Sequence, residues 1–325
     1  MSPAPKYKTE VIAMPHRTPK IDTGFASAIG CYILWGFLPI YWKFLDHIPA
    51  LDILAHRIIW SFVFLVGLLA VTGKLGHARR EAAAILADRK KVAGVLAATV
   101  LITINWLVYI WAVNDSRILE TSLGYYINPL VSVLLGILVL KERLTVPQTI
   151  AVALAALGVL NQAVNVGGLP WVSLSLAVSF GLYGLCKKML GIGAITGITL
   201  ETLLLSPAFL AYLAWMQSQG RGVLTPDQPV TALLLLGTGI TTAIPLLLFA
   251  NAANRIPLTV LGFIQYLSPT IALFVGIFIY HEPFSASHLL SFACIWAALA
   301  VFSLAPAKQP ARRQPPLAEA RETAK

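Results

Sequence analysis

The feature that most constrains this chain is a repeat carried inside its apolar stretches: residues 126–145 return as residues 266–285 at a constant offset of 140. Tyr126 aligns with Tyr266, Pro129 with Pro269, Gly136 with Gly276, Glu142 with Glu282 and Thr145 with Ser285. A second echo, at an offset of 145, sets Trp35, Gly36 and Lys43 against Phe180, Gly181 and Lys188. Each copy of the longer repeat closes a long apolar run, so the unit is a hydrophobic helix, its end and the start of the next helix. Two tandem halves in a bilayer point to transport, because movement of one half against the other can expose a central site to each side in turn.

Composition requires the bilayer. The 325 residues are 58% hydrophobic and 12% charged, with a mean hydropathy of +0.77, against roughly 25% charged in an average soluble domain. Ten apolar runs lie near 24–42, 51–72, 92–113, 118–140, 147–164, 170–187, 192–216, 230–252, 256–280 and 285–305. They are long enough to span as helices and lack the period-two alternation of a membrane barrel. The expected fold is an all-α membrane protein whose ten transmembrane helices form two five-helix repeats, residues 24–164 and 170–305. An odd number of spans per half forces the second half to enter the membrane upside down, so the repeat is inverted.

Charge supports that count. With a cytoplasmic N-terminus, twenty Lys and Arg fall on the inner side: the four before residue 21, the six between Lys74 and Lys91, Lys141, Arg143, Lys187, Lys188, Arg255 and the five in the tail. Only Lys43, Arg117 and Arg221 fall outside, and Arg57 lies within a span. This is the positive-inside pattern, and it predicts a multi-pass protein of the bacterial inner membrane with both termini cytoplasmic. The net charge of +10 is then explained by an anionic inner leaflet, and nucleic acid is excluded as a partner. The polar residues 1–23 read as a cytoplasmic N-terminus without a cleavable signal, and residues 306–325 as a disordered cytoplasmic tail. Cys31, Cys186 and Cys294 stand isolated in apolar runs, which argues against a disulfide framework or a metal site.

Several segments carry a family resemblance. Gly30 to Lys43 (GCYILWGFLPIYWK), Ala55 to Ser61 (AHRIIWS), Asn105 to Ala112 (NWLVYIWA), Glu120 to Leu130 (ETSLGYYINPL) and Gln265 to Thr270 (QYLSPT) resemble RarD-type permeases. These belong to the EamA and drug/metabolite transporter superfamily. The resemblance covers nearly all of residues 24–305. It implies a ten-helix, inverted-repeat carrier of small metabolites or drugs, with a central cavity lined mainly by the first, third, fourth, sixth, eighth and ninth helices.

Polar groups in lipid need a partner or a task. Asn105, Trp106 and Tyr109 fall at i, i+1 and i+4 of the third run, with Asn105 and Tyr109 on one face; Asn105 either lines a cavity or bonds a neighbouring helix. Pro129 and Pro269 free backbone carbonyls at equivalent points of the two halves, a pointer to a central site as well as a source of kinks. Tyr126, Asn128, Gln265 and Tyr266 beside them are therefore candidate substrate-binding residues, together with Trp35, Asn105, Trp106 and Tyr109. Arg57 and Glu120 are placed to pair near the outer end, with a structural ion pair or a snorkelling arginine the favoured reading. Glu201, about nine residues into the seventh run, is a candidate for proton coupling. The repeated Glu142 and Glu282 fall at helix ends, where each closes a turn with Thr145 or Ser285, or latches one of two opposite gates. Ser173, Ala177 and Gly181 form a small-residue ladder suited to close helix packing within the monomer; monomer and homodimer both stand.

The sequence holds no HExxH, GxSxG or GxxxxGK[ST] motif. No enzyme is expected, no cofactor, and no ATP-driven pumping by this chain alone. The expectation is a secondary transporter of a small organic solute by alternating access, with export favoured by the resemblance. The aromatic load suits a neutral or amphipathic solute. A membrane scaffold and an ungated channel are the competing readings; the paired prolines count against the first, and the near absence of polar residues in the fifth and tenth runs against the second.

Overall fold

In a computed structural model, residues 23–115, 118–166, 171–224, 228–280 and 286–304 are described, and among them the regular structure is helical. The helices are α1 (Thr23–Lys43), α2 (Ala50–Val71), α3 (Leu75–Leu86), α4 (Arg89–Asn114), α5 (Ile118–Leu138), α6 (Val146–Val166), α7 (Trp171–Leu190), α8 (Ala194–Ser218), α9 (Pro229–Arg255), α10 (Leu258–Gln265), α11 (Leu267–Phe278) and α12 (Ala286–Leu304). Among the described residues, six stretches are long and apolar enough to cross a membrane: 23–43, 50–71, 89–109, 194–218, 229–255 and 258–278. Shorter apolar helices cover 123–138, 146–161 and 289–304. Helices dominate because hydrocarbon offers no hydrogen-bond partner, so each backbone group must bond within its own segment.

Proline affects these helices unequally. Pro39, Pro129, Pro207 and Pro245 sit inside continuous helices. Pro269 instead follows a break: Tyr266 separates α10 from α11, and its N–H bonds the carbonyl of Phe263 three residues back at 3.2 Å. The proline ring removes the donor that would have bonded the carbonyl of Gln265, four residues earlier. The paired helix breaks expected at Pro129 and Pro269 are thus one break and one uninterrupted helix.

Packing relates the two halves. α5 lies along α7 as α1 lies along α11, and α4 lies along α7 as α1 lies along α9. α2 meets α8, α5 meets α10, and α6 meets α12, each pair being a helix and its counterpart. The correspondence reaches single residues. A Cβ on Gly36 would come within 2.6 Å of Ile271, and one on Gly181 within 2.7 Å of Val131. Gly36 and Gly181 are related by the offset of 145, Val131 and Ile271 by the offset of 140. The same glycine-to-branched-residue contact is built twice. Ser173, Ala177 and Gly181 face inward, fully or nearly buried. A Cβ on Gly124 of α5 would lie 3.2 Å from the Ser173 carbonyl, so the ladder lets α5 approach α7.

α3 is an element that the ten apolar runs do not contain. The basic stretch after α2 folds into a short amphipathic helix, with Ala78 and Ile85 buried and Arg79 exposed. Ile85 packs with Val95 and Ile192. Glu81 accepts hydrogen bonds from the Gly193 N–H at 2.8 Å and the Thr196 hydroxyl, and so caps α8 from the other half. The apolar spacing of Leu75, Ala78 and Ile85 was the available signal for it.

Candidate functional site

Arg57 occupies the second turn of α2 and is only half-buried. Its guanidinium lies 4.8 Å from the ring centre of Trp42 on α1 and 5.2 Å from that of Trp106 on α4. Its Nε donates to the Thr242 hydroxyl of α9 at 3.0 Å. The phenols of Tyr109 on α4 and Tyr125 on α5 are its other electrostatic neighbours, with ring centres 6.2 Å apart. Tyr125 touches this group yet is 49% exposed. Side chains from five helices therefore form a cup with a cation in its aromatic wall. Cation–π contacts of this kind hold a guanidinium without neutralising it.

The floor of the cup is aromatic too. Trp35 lies two turns before Trp42 on the same face of α1, about 10 Å further into the bundle at 1.5 Å per residue. Its ring centre is 5.6 Å from Phe180 and 5.8 Å from Phe249, and Tyr183 stacks on Phe249 at 5.9 Å. Trp35 and Phe180 are counterparts at the offset of 145. Counterparts that touch lie on the axis relating the halves, which puts this floor at the centre of the molecule.

Beyond the floor the other end is shut. Trp42 stands at the offset of 145 from Lys187, and Arg57 and Glu201 lie near the start of the corresponding helices α2 and α8. Where Arg57 meets aromatic faces and a hydroxyl, Glu201 forms an ion pair with Lys187 whose side chains are 6% and 7% exposed, and it also accepts from the Tyr183 hydroxyl at 3.1 Å. Glu142, just past α5, accepts from the backbone N–H groups of Leu258 and Thr259 at 2.8 and 2.9 Å. It thereby caps α10, a helix of the opposite half. The chain reaches this position by turning through Lys141 at φ 56°, with the Glu142 N–H closing on the Gly136 carbonyl at 3.0 Å. Gly136 makes the room, since a Cβ there would lie 2.7 Å from the carboxylate. Lys188 donates to the carbonyls of Ala253 and Ile256, and Asn251 ties α9 to Ser27 of α1 at 2.7 Å.

Among the residues singled out in the sequence, Trp35, Trp106, Tyr109 and Arg57 lie in the floor or wall of the cup. Asn105 is half-buried and engaged by a neighbouring helix. Its amide donates to the Leu176 carbonyl and the Ser179 hydroxyl, both at 2.9 Å, and so ties α4 to α7. Replacing Asn105 by Ala should lower stability by about 1 kcal/mol, the usual worth of an interhelical hydrogen bond in a membrane, as read by thermal unfolding in nanodiscs. Tyr126 and Tyr266 are 9% and 1% exposed; Tyr126 packs edge-on against Phe292 at 5.3 Å, and the Tyr266 hydroxyl donates to the Tyr126 carbonyl at 3.3 Å. The two tyrosines sit in the core shared by α5, α6, α10, α11 and α12. Asn128 and Gln265 are buried as well, with the Asn128 carboxamide oxygen lacking a hydrogen-bond partner among the described residues. Thr145 does not cap with its hydroxyl; the Gln148 side chain accepts its N–H at 2.9 Å. The Glu120 side chain and Glu282 lie outside the described residues. Trp42, Tyr125 and Thr242 are members of the cup that sequence reasoning did not select, although Trp42 repeats Trp35 at a seven-residue spacing. A separate recess of about 270 Å³ between α2 and α8, lined by His56, Leu210, Leu213 and Gln217 among others, stands apart from this group.

Known proteins resemble this chain along most of its length. The pattern of the EamA-like transporter family matches residues 22–161 and again residues 168–304. The chain is 51% identical over 281 residues to the uncharacterized transporter YojE of Bacillus subtilis, covering 85% of this chain and 92% of that one. It is 40% identical over 279 residues to the protein RarD of Escherichia coli, covering 86% and 93%. A solved crystal structure with 17% sequence identity superposes with a TM-score of 0.67 over 87% of this chain and 98% of that one, so the two share a fold.

Proposed function

Because the chain belongs to the EamA-like transporter family, in its RarD-type branch, we propose that it is a secondary carrier moving a small organic solute across the bacterial inner membrane by alternating access. In this reading the ten spans are α1, α2, α4 to α9, α10 with α11, and α12, arranged as two inverted halves. The four spans outside the six long apolar stretches are 19 to 21 residues each, close to the roughly 30 Å that a span requires. Both termini lie in the cytoplasm, so the Arg57 cup faces outward and the Lys187–Glu201 pair inward. Export is the direction the family resemblance favours.

One observation carries the proposal. The positions Trp42–Arg57 and Lys187–Glu201 differ in closure: the first pair is half-buried, and the second is a buried ion pair. Two ends of unequal closure fit one conformation of an alternating carrier, and exchanging them gives the other. The main helix pairings support this, since they map onto one another when the halves are exchanged; α2 packs on α9 more extensively than α4 on α8, and α7 packs on α9 where α1 and α4 have no comparable contact. A passive channel is disfavoured because the Lys187 end is shut.

Reporter fusions after Lys91, after Lys188 and at the C-terminus should all read cytoplasmic; a periplasmic signal from any of them breaks the inverted arrangement. Vesicles holding the purified chain should take up some members of a pooled cell-metabolite extract saturably. Uptake no greater than that of empty vesicles, or a leak that does not saturate, removes the carrier reading.

A further inference from the structure

Arg57 carries a charge that no carboxylate among the described residues answers. Every carboxylate among the described residues is engaged away from it or exposed. Asp52 accepts from the Tyr212 hydroxyl at 2.7 Å, Glu201 pairs with Lys187, Glu81 caps α8 and Glu142 caps α10. Asp46 pairs with Lys43, Asp88 caps the start of α4, and Asp115 is exposed. Thr242 takes the Nε hydrogen of Arg57, and the two terminal nitrogens have no hydrogen-bond partner among the described residues. A charge at this depth in a membrane protein costs several kcal/mol unless it is answered. Two aromatic faces reduce that cost without cancelling the charge.

We propose that the cup binds a small organic monoanion, a carboxylate on an apolar body, with Arg57 as the charge partner. The proposal rests on the carrier reading and names the class of its solute. With Nε committed, the end-on pair of terminal nitrogens presents the planar fork that fits a carboxylate through two parallel hydrogen bonds. Trp42, Trp106, Tyr109 and Tyr125 supply ring faces for an apolar body. The described wall offers one cation, so a dianion such as a phosphate monoester would carry a charge that nothing answers.

The test uses the purified full chain in nanodiscs and matched pairs of probes: benzoate and benzamide, phenylacetate and phenylacetamide, octanoate and octanamide. Binding is read by tryptophan emission and by the shift in unfolding temperature. At least one carboxylate should bind about tenfold or more tightly than its amide, a difference of about 1.4 kcal/mol. Arg57→Gln should erase that preference, and Arg57→Lys should keep it at lower affinity. If Arg57→Gln does not fold, Arg57→Lys with Trp42→Leu decides: the first should weaken carboxylates selectively, the second both members of each pair. Equal binding within every pair, no binding by any carboxylate, or a preference that survives Arg57→Gln overturns the proposal. So does a preference that emerges only in Glu120→Gln, since the guanidinium would then be engaged by that acid. Carboxylate binding without transport in the vesicle assay would sink the carrier reading and leave this site standing; transport without carboxylate preference would do the reverse.

Discussion

Replacing either Lys187 or Glu201 alone should destabilise the protein by about 3–5 kcal/mol, whereas replacing both by apolar residues of similar size should restore most of the loss. The pair is buried between α7 and α8 with side chains 7% and 6% exposed. Each charge is tolerable there because the other answers it. Lys187→Met leaves Glu201 with the Tyr183 hydroxyl alone, and Glu201→Leu leaves an ammonium over the Tyr183 ring, 5.2 Å from its centre. Removing one partner of a buried pair is costly for this reason, while exchanging both for apolar groups is close to neutral. Chemical unfolding of the single and double variants in nanodiscs measures the three quantities. Single losses below about 1 kcal/mol, the range of exposed pairs, would mean that water reaches the pair and that this end is open. The double variant, Lys187→Met with Glu201→Leu, also separates structure from coupling. Recovered stability with lost transport makes Glu201 a coupling group, and recovery of both makes the pair scaffolding.

Much of the architecture was legible in the sequence because the relevant physics is local. Apolar runs of the right length, glycine at counterpart positions and the echo of Trp35 in Phe180 all describe contacts that the structure makes. Gly36 meets Ile271 as Gly181 meets Val131, and Trp35 meets Phe180. α3 was not visible to a search for apolar runs, because its stability comes from a narrow stripe of Ala78 and Ile85 under a basic face. The break before α11 and the unbroken course of α5 through Pro129 could not be separated by a pattern that contains proline in both places. What happens to a freed carbonyl depends on neighbours that the pattern does not hold.

The site was less legible, and the reason lies in the repeat itself. In an inverted repeat, a residue kept identical in both copies serves both halves alike, and such residues gather where the halves touch. Tyr126 and Tyr266 are of this kind: they contact each other and sit in the core. A solute that fills one recess at a time has no need of symmetric walls. Trp42 and Arg57 stand against Lys187 and Glu201, so the chemistry of the two halves differs most at these ends. Tyr125 and Tyr126 are adjacent in the chain, yet a turn of about 100° per residue sends one into the cup and the other into the core. Repetition singled out the second, and only the rotation of α5 in the bundle reveals the first.

The same logic turns Glu142 from a turn residue into a latch, with a large expected consequence. Its carboxylate takes two backbone N–H groups at the start of α10, where the helix leaves donors unpaired and carries positive charge. The bonds join the end of α5 in one half to α10 in the other, so opening this side means breaking them. Hydrogen bonds to a charged group contribute roughly 1.5–3 kcal/mol each. Glu142→Ala should therefore shift the equilibrium toward the state open on the Lys187 side by about 3 kcal/mol, on the order of a hundredfold. Glu142→Gln keeps one neutral acceptor and should shift it less. Single cysteines at the two mouths, labelled with an impermeant thiol reagent, give the readout: labelling on the Lys187 side should rise and labelling beside Arg57 should fall. By the repeat, Glu282→Ala should move both in the opposite sense. If both glutamate variants lower stability slightly and leave the two labelling rates unchanged, the residues close turns and do not gate. Opposite shifts would make the repeated glutamates the pair of locks that the two halves exchange.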